Sequence, residues 1–304
     1  MTADIVTNDR LRTAAEDRAR TGSFITGKAE LEAVRRSIRS DIRDIVSDAD
    51  ATGVIVAMSG GIDSTVTTVL AVEALGGDRV LGLGLPCHKA DEAGTSEART
   101  IADGLGIEFS EIQLRPLLEA FEETAARDLE SPVARVESDR PHERNYAIGN
   151  VVARLRMCCA YYAANRRSRL VLGTANRSEL LLGYFTKYGD GAADAYPIGD
   201  LYKTEVRALA KRLGVPRRIV SKEPTAGFWA DQTDAEELGA SYEVIDPLLR
   251  RLVDEGASIE AAADAGGIDR GTARDVASLS AATAHKRALP PTPGIAGRTS
   301  DSGP

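Results

Sequence analysis

The stretch GVIVAMSGGIDSTVTTVLAVEAL, residues 53–75, decides the architecture. Residues 53–58 are a short apolar run rich in β-branched side chains, which reads as a strand buried on both faces. A Ser-Gly-Gly turn follows, and apolar residues then resume over a helical length. A buried strand running through a glycine turn into a helix is the first half of a βαβ unit.

Working outward, the same alternation repeats. DRVLGLGLP (78–86) reads as a second strand and SEARTIADGLG (96–106) as a helix with the usual C-terminal glycine. IEFSEIQL (107–114) is a third strand. RPLLEAFEETAARDL (115–129) is a helix with Pro116 in its first turn. On the N-terminal side, Leu31, Val34, Ile38, Ile42 and Ile45 recur at helical spacing within 28–48. SPVARVESDRPHER (131–144) reads as a loop. A long helix is expected over 145–165, with Ile148, Val151, Leu155, Cys158 and Tyr162 as its apolar stripe. SRLVLGT (168–174) is a fourth strand and NRSELLLG a short helix. Residues 184–200 form a loop too long to be a plain connector. LYKTEVRALAKRLGVP (201–216) is a helix stopped by Gly214 and Pro216, and after an aperiodic stretch over 221–233 helices resume at 236–253 and 259–284. The pattern is α/β, a parallel sheet covered by helices with helical C-terminal additions. One domain spans 25–289, between a polar tail at 1–24 and a Pro/Gly/Ser-rich tail at 290–304.

Composition removes several functions. The 304 residues carry 38 Lys+Arg against 46 Asp+Glu, a net charge of −8, whereas bulk nucleic-acid binding needs clustered excess cations. No run of about 18 apolar residues offers a membrane span. The N-terminus lacks the apolar core of a signal peptide. Three cysteines, an odd number in a long chain, argue against a disulfide framework. Cys158 and Cys159 are read as reduced core residues. The expected setting is the cytoplasm, without nucleic-acid or membrane partners.

SGGIDS, residues 59–64, carries the chemistry. Gly60 and Gly61 let the backbone approach a ligand closely, and a helix N-terminus beyond them favours an anion. Ser59, Ser64 and Thr65 add hydroxyls. Neither the Walker pattern nor G-x-G-x-x-G is present. Asp63 would repel a phosphate unless a cation bridges them, and Mg²⁺ suits one or two carboxylates plus phosphate oxygens. The plain alternative is a helix N-cap after a Gly-Gly turn.

In this context SGGIDS resembles the pyrophosphate-binding turn of the N-type ATP pyrophosphatases, which cleave ATP between the α and β phosphates. GNVVARLRM (149–157), the run 170–206, KEPTAGFWADQTDAEELGASYEVID (222–246) and HKRALPPTP (285–293) narrow the choice. They follow the order and spacing of NAD synthetases of the ammonia-dependent type, over roughly residues 28 to 293. FTKYGDGAAD together with HKR is the most specific part.

The resemblance implies an adenine nucleotide α-hydrolase-like, Rossmann-like fold with a parallel five-stranded sheet. It implies ATP-dependent amidation of deamido-NAD to NAD with ammonia, through an adenylated intermediate, releasing AMP and pyrophosphate. Asp63 and Glu179 take the Mg²⁺ positions. Ser59, Gly60, Gly61, Ile62, Asp63, Ser64, Thr174, Lys203 and Thr225 take those of ATP, with Asp63, Glu179, Lys203 and Thr225 central to catalysis. Arg154, Lys187, Asp194, His285 and Lys286 correspond to the deamido-NAD site. Val152, a position commonly polar in the family, is the one departure and is expected to weaken a substrate contact. A homodimer is implied, and the 145–165 stripe would serve either its interface or the chain's own sheet. No cysteine-based amidase pattern is present, so free ammonia, or ammonia delivered by a partner protein, is the expected nitrogen source. A tRNA-modifying relative is disfavoured by the charge and the missing C-x-x-C. A mere nucleotide sensor would not need Glu179, Lys187, Asp194, His285 and Lys286 together.

Overall fold

The computed structural model describes residues 24–129, 141–225 and 233–291. The two tails therefore fall almost wholly outside the described residues, as do 130–140 and 226–232.

Among the described residues four parallel strands form the sheet: β1 (Gly53–Ala57), β2 (Val80–Gly84), β3 (Glu108–Glu111) and β4 (Arg169–Leu172). Their order is β3-β2-β1-β4, with Ile55 opposite both Leu81 and Val171. Side chains alternate between faces along a strand. Val54 and Val56 accordingly pack with helices α1 (Lys28–Asp48), α2 (Ile62–Leu75) and α3 (Asp91–Leu105). Ile55, Leu81, Leu83 and Val171 pack on the opposite face against α4 (Arg115–Phe121) and α5 (Pro141–Arg167).

The chain builds outward from β1 through β2 to β3, then returns to place β4 on the other side of β1. That reversal opens a crevice between the carboxyl ends of β1 and β4, where open α/β sheets bind ligands.

The expected fifth strand is reduced to a single parallel bridge, Leu172 to Ala195. Gly173 N–H donates to the Ala195 carbonyl at 2.8 Å and Asp194 N–H to the Val171 carbonyl at 3.0 Å. The Asp194 carboxylate takes the Val171 N–H at 2.7 Å, so a side chain replaces a backbone acceptor. Pro197, two residues on, has no N–H to continue a ladder.

Other details also depart from the sequence pattern. In α1 the stripe ends on buried Val46, while Ile45 is exposed. The helix from Arg115 loosens into a π-helical turn at Glu122–Ala126. In α5, Val152, Ala160 and Ala164 face the sheet, whereas Cys158 is exposed and Cys159 half-buried. Burying the Ala face turns Cys158 and Tyr162 outward, which corrects the reading of Cys158 as core.

Beyond β4 come α6 (Arg177–Leu182), α7 (Lys203–Arg212), α8 (Arg217–Val220), α9 (Asp234–Leu238) and α10 (Tyr242–Leu249). Three further helices follow: α11 (Ile259–Gly266), α12 (Arg270–Ala282) and α13 (Ala284–Arg287). Helix α7 packs its Val206, Leu209 and Ala210 on α1 and α2. Helices α6, α9, α10, α11 and α12 share a separate apolar cluster that includes the buried Tyr202.

Candidate active site

The turn after β1 lies at the mouth of the crevice. Gly60 has φ +73°, and a methyl group there would collide with the Gly94 carbonyl of α3, so only glycine fits. Ser59 Oγ accepts Gly61 N–H at 3.3 Å and lies 3.4 Å from Ser64 Oγ. Thr65 Oγ1 donates to the Gly61 carbonyl at 2.7 Å. Hydroxyls thus brace the turn from inside. Ile62 is buried in the core, which leaves its backbone as the part it offers to the turn.

Asp63 stands in the first turn of α2, and Glu179 in the first turn of α6 beyond β4. Between them sits Lys203, the first residue of α7. Its Nζ donates to Asp63 Oδ2 at 2.6 Å and to Glu179 Oε1 at 3.2 Å. The three residues, 140 positions apart at the extremes, meet at one point.

Asn176 ties the two carboxylates together. Its Nδ2 donates to Asp63 Oδ1 at 3.0 Å. Its Oδ1 accepts Glu179 N–H at 3.1 Å, and its own N–H donates to Glu179 Oε2 at 3.1 Å. This reciprocal pair is a capping box at the start of α6.

Burial pushes the Glu179 carboxyl up and Asp63 adds to this, while Lys203 pulls it down. Burial would lower the Lys203 ammonium, but Asp63 and Glu179 outweigh it and hold it above the usual lysine range. Lys203 therefore stays charged. Its Nζ also lies 5.4 Å from the Tyr242 ring centroid. The Tyr242 hydroxyl donates to Asp234 Oδ2 at 3.0 Å.

One cation already touches both carboxylates, so the pair is spaced to share a positive charge. The donors are hard oxygens, the type Mg²⁺ prefers. Among the described residues no group of three or more His, Cys, Asp or Glu side chains forms a metal cage. Asp63 and Glu179 thus fit an ion whose other ligands come from phosphate and water.

Thr174 is half-buried, two residues beyond the end of β4 and five before Glu179. Thr225 is exposed and borders residues 226–232, so most of the KEPTAGFWADQT segment beyond it lies outside the described residues.

The second set of expected residues gathers around the 184–200 loop. Arg154 Nη2 donates to the Lys187 carbonyl at 3.2 Å, and Lys187 Nζ donates to the His285 carbonyl at 2.6 Å. Tyr188 adopts φ +63°, costly for an aromatic residue, with Lys187 Nζ 5.2 Å from its ring centroid. Lys286 donates to the Gly183 and Phe185 carbonyls at 2.7 and 3.0 Å, and burial pushes its ammonium down, against Asp190. His285 Nδ1 lies 3.0 Å from the Ala282 carbonyl. Asp194 stands apart, at the fifth-strand bridge, and also accepts from the Tyr161 hydroxyl at 3.1 Å. Val152 is buried against the sheet, so this departure reads as core packing.

Sequence reasoning missed Asn176, Tyr242, Asp234 and a buried pair, Ser178 and Asp246. The N-x-x-E spacing of residues 176–179 would have exposed Asn176 as a helix cap. Asp246 interrupts an apolar helical stripe made by Ile245, Leu248 and Leu249, a visible signal for a partnered buried acid.

A family model described as NAD synthase matches residues 34–290. An NH(3)-dependent NAD(+) synthetase of Methanosarcina mazei is 42% identical over 265 residues, covering 87% of this chain and 98% of that protein. Its counterpart in Methanocaldococcus jannaschii is 43% identical over 265 residues, with the same coverage of 87% and 98%. The solved structure of an NMN synthetase from Francisella tularensis superposes with a TM-score of 0.74 at 31% identity, covering 87% of this chain and 99% of the other.

Proposed function

Because the chain belongs to the NAD synthase family, we propose that it amidates deamido-NAD with ammonia. ATP is consumed through an adenylated intermediate, and AMP and pyrophosphate are released. The observation that carries this reading is Lys203 Nζ held between Asp63 and Glu179 beside the SGGIDS turn. An ammonium, two carboxylates and a glycine turn at a sheet crevice are the parts needed to hold a polyphosphate.

The nicotinate carboxylate of deamido-NAD is the nucleophile, so the protein need not supply one. It attacks the α-phosphorus of ATP and pyrophosphate leaves. Ammonia then attacks the activated carbonyl and AMP leaves. What this chain contributes is orientation and charge. The turn at Ser59–Ser64 places backbone N–H groups against the phosphates, with Thr174 and Thr225 beside them. Lys203 offsets charge on the departing pyrophosphate. Asp63 and Glu179 would hold Mg²⁺, which neutralises phosphate charge when bound. Arg154, Lys187 and Lys286 supply positive charge suited to the anionic second substrate, with His285 and Asp194 as polar supports for it.

Asp63→Asn tests the metal role. We expect a loss of about 10²-fold in turnover, and near-wild-type turnover with Mg²⁺ would remove that role. The parent assay combines purified protein, ATP, Mg²⁺, ammonium and deamido-NAD. AMP, pyrophosphate and NAD should appear in equal amounts. Pyrophosphate release independent of deamido-NAD would overturn the reading. The likeness to an NMN synthetase favours one competing reading, amidation of the mononucleotide acid. A higher kcat/KM with that acid would favour it.

The same proposal includes a homodimer, with α5 at the interface through its outward Cys158 and Tyr162. It also includes one synthetase domain over 25–289 and a cytoplasmic setting, which accords with three free cysteines. Among the described residues no helix is long and apolar enough to cross a membrane.

A further inference from the structure

Glu179 and Lys203 stand on different helices, yet their chain neighbours share a single anchor. Ser178 Oγ donates to Asp246 Oδ1 at 2.6 Å. Thr204 N–H donates to Asp246 Oδ2 at 2.8 Å. Ser178 Oγ in turn accepts Lys203 N–H at 3.0 Å. One carboxylate on α10 therefore fixes the first turns of both α6 and α7. Asp246 and Ser178 are fully buried. Asp246 itself makes none of the contacts assigned to substrate.

A buried carboxylate is costly, and an apolar residue of similar volume would join three helices at least as well. What it adds is direction. Both oxygens are committed to partners one residue away from Glu179 and Lys203, so a shift of Asp246 moves both. We propose that Asp246, acting through Ser178 and Thr204, is a positioning residue that sets Lys203 and Glu179 at their mutual distance and at reach of the phosphates. The inference rests on the reading of this crevice as the ATP phosphate site.

The test compares Ser178→Ala, Asp246→Asn and Lys203→Met, singly and with Ser178→Ala combined with Lys203→Met. Turnover is measured per folded molecule, well below each melting temperature, and by single-turnover pyrophosphate release where rates are low. Ser178→Ala should lower kcat about 10- to 100-fold, as small misplacements do, while KM for deamido-NAD stays within about twofold. On the Lys203→Met background the same substitution should cost clearly less than in the wild type, because the part of its effect that runs through Lys203 is already lost and only the part through Glu179 remains. Asp246→Asn keeps the shape and an acceptor for Thr204 N–H, and should fall between wild type and Ser178→Ala. A Ser178→Ala enzyme of wild-type kcat but lower melting temperature would overturn the proposal. So would full multiplication of the two losses in the double variant. If the wild type itself shows no deamido-NAD-dependent pyrophosphate release, the reading of the site fails instead.

Discussion

Lys203 Nζ lies 2.6 Å from one carboxylate and 3.2 Å from another, and its side chain is only 4% exposed. Removing it leaves Asp63 and Glu179 facing each other without a cation. Lys203→Met should therefore act twice. Turnover should fall about 10²- to 10³-fold through loss of charge on the phosphates. Stability should fall by about 3–5 kcal/mol through the uncompensated buried charge. Steady-state rates and urea denaturation separate the two effects, and a rate loss under about tenfold would take Lys203 off the phosphates. The sequence placed Lys203 only through its family resemblance, because a lysine at the start of a helix ordinarily reads as surface. Asp63 was different, since a carboxylate inside a glycine turn already implies a cation. Asn176 was legible in principle through its capping spacing. The ties of Lys286 to carbonyl oxygens were not, because they depend on how α13 meets the loop after α6.

At the scale of elements, strands and helices up to β4 followed from hydrophobic period and punctuation. The fifth strand did not, since whether a side-chain carboxylate will take a ladder N–H is a tertiary outcome. Nor could period alone show which face of α5 meets the sheet, because apolar residues surround that helix. Helix α10 bears the clearest consequence for stability. Burial pushes its Asp246 carboxyl up from 3.8 to about 6, against the hydrogen bonds from Ser178 and Thr204. A carboxyl raised in the folded state favours folding below its unfolded value, and that contribution disappears as pH rises through about 6. The shift corresponds to about 3 kcal/mol. Asp246→Asn does not titrate, so its stability relative to wild type should increase between about pH 4 and pH 6.5 by up to that amount. Urea denaturation of both proteins across this range checks it. A constant difference would mean that Asp246 titrates alike in the folded and unfolded chains.

For the whole molecule, the net charge of −8 coexists with a local cationic set whose members are not equivalent. Lys203 is offset by two carboxylates, whereas Lys187 and Lys286 are held by main-chain carbonyls and Arg154 donates to the carbonyl of Lys187. The nitrogen source is a further property of the chain as a whole. Releasing ammonia from glutamine requires a nucleophile, ordinarily a thiolate activated by a lowered pKa. Cys87 is 3% exposed and burial pushes its thiol up. Cys159 is half-buried and likewise pushed up, by burial and by Cys158. Cys158 is exposed on α5. Cys87 and Cys159 thus lack the environment of an activated nucleophile. With glutamine as the only nitrogen source, NAD formation should stay at the level of a control without nitrogen, while ammonium should drive it to saturation. Cys158→Ser should leave the ammonium-driven rate unchanged. Glutamine-driven turnover equal to that with ammonium would show that the chain carries an amidase, and a fall of that turnover in Cys158→Ser would place it on α5.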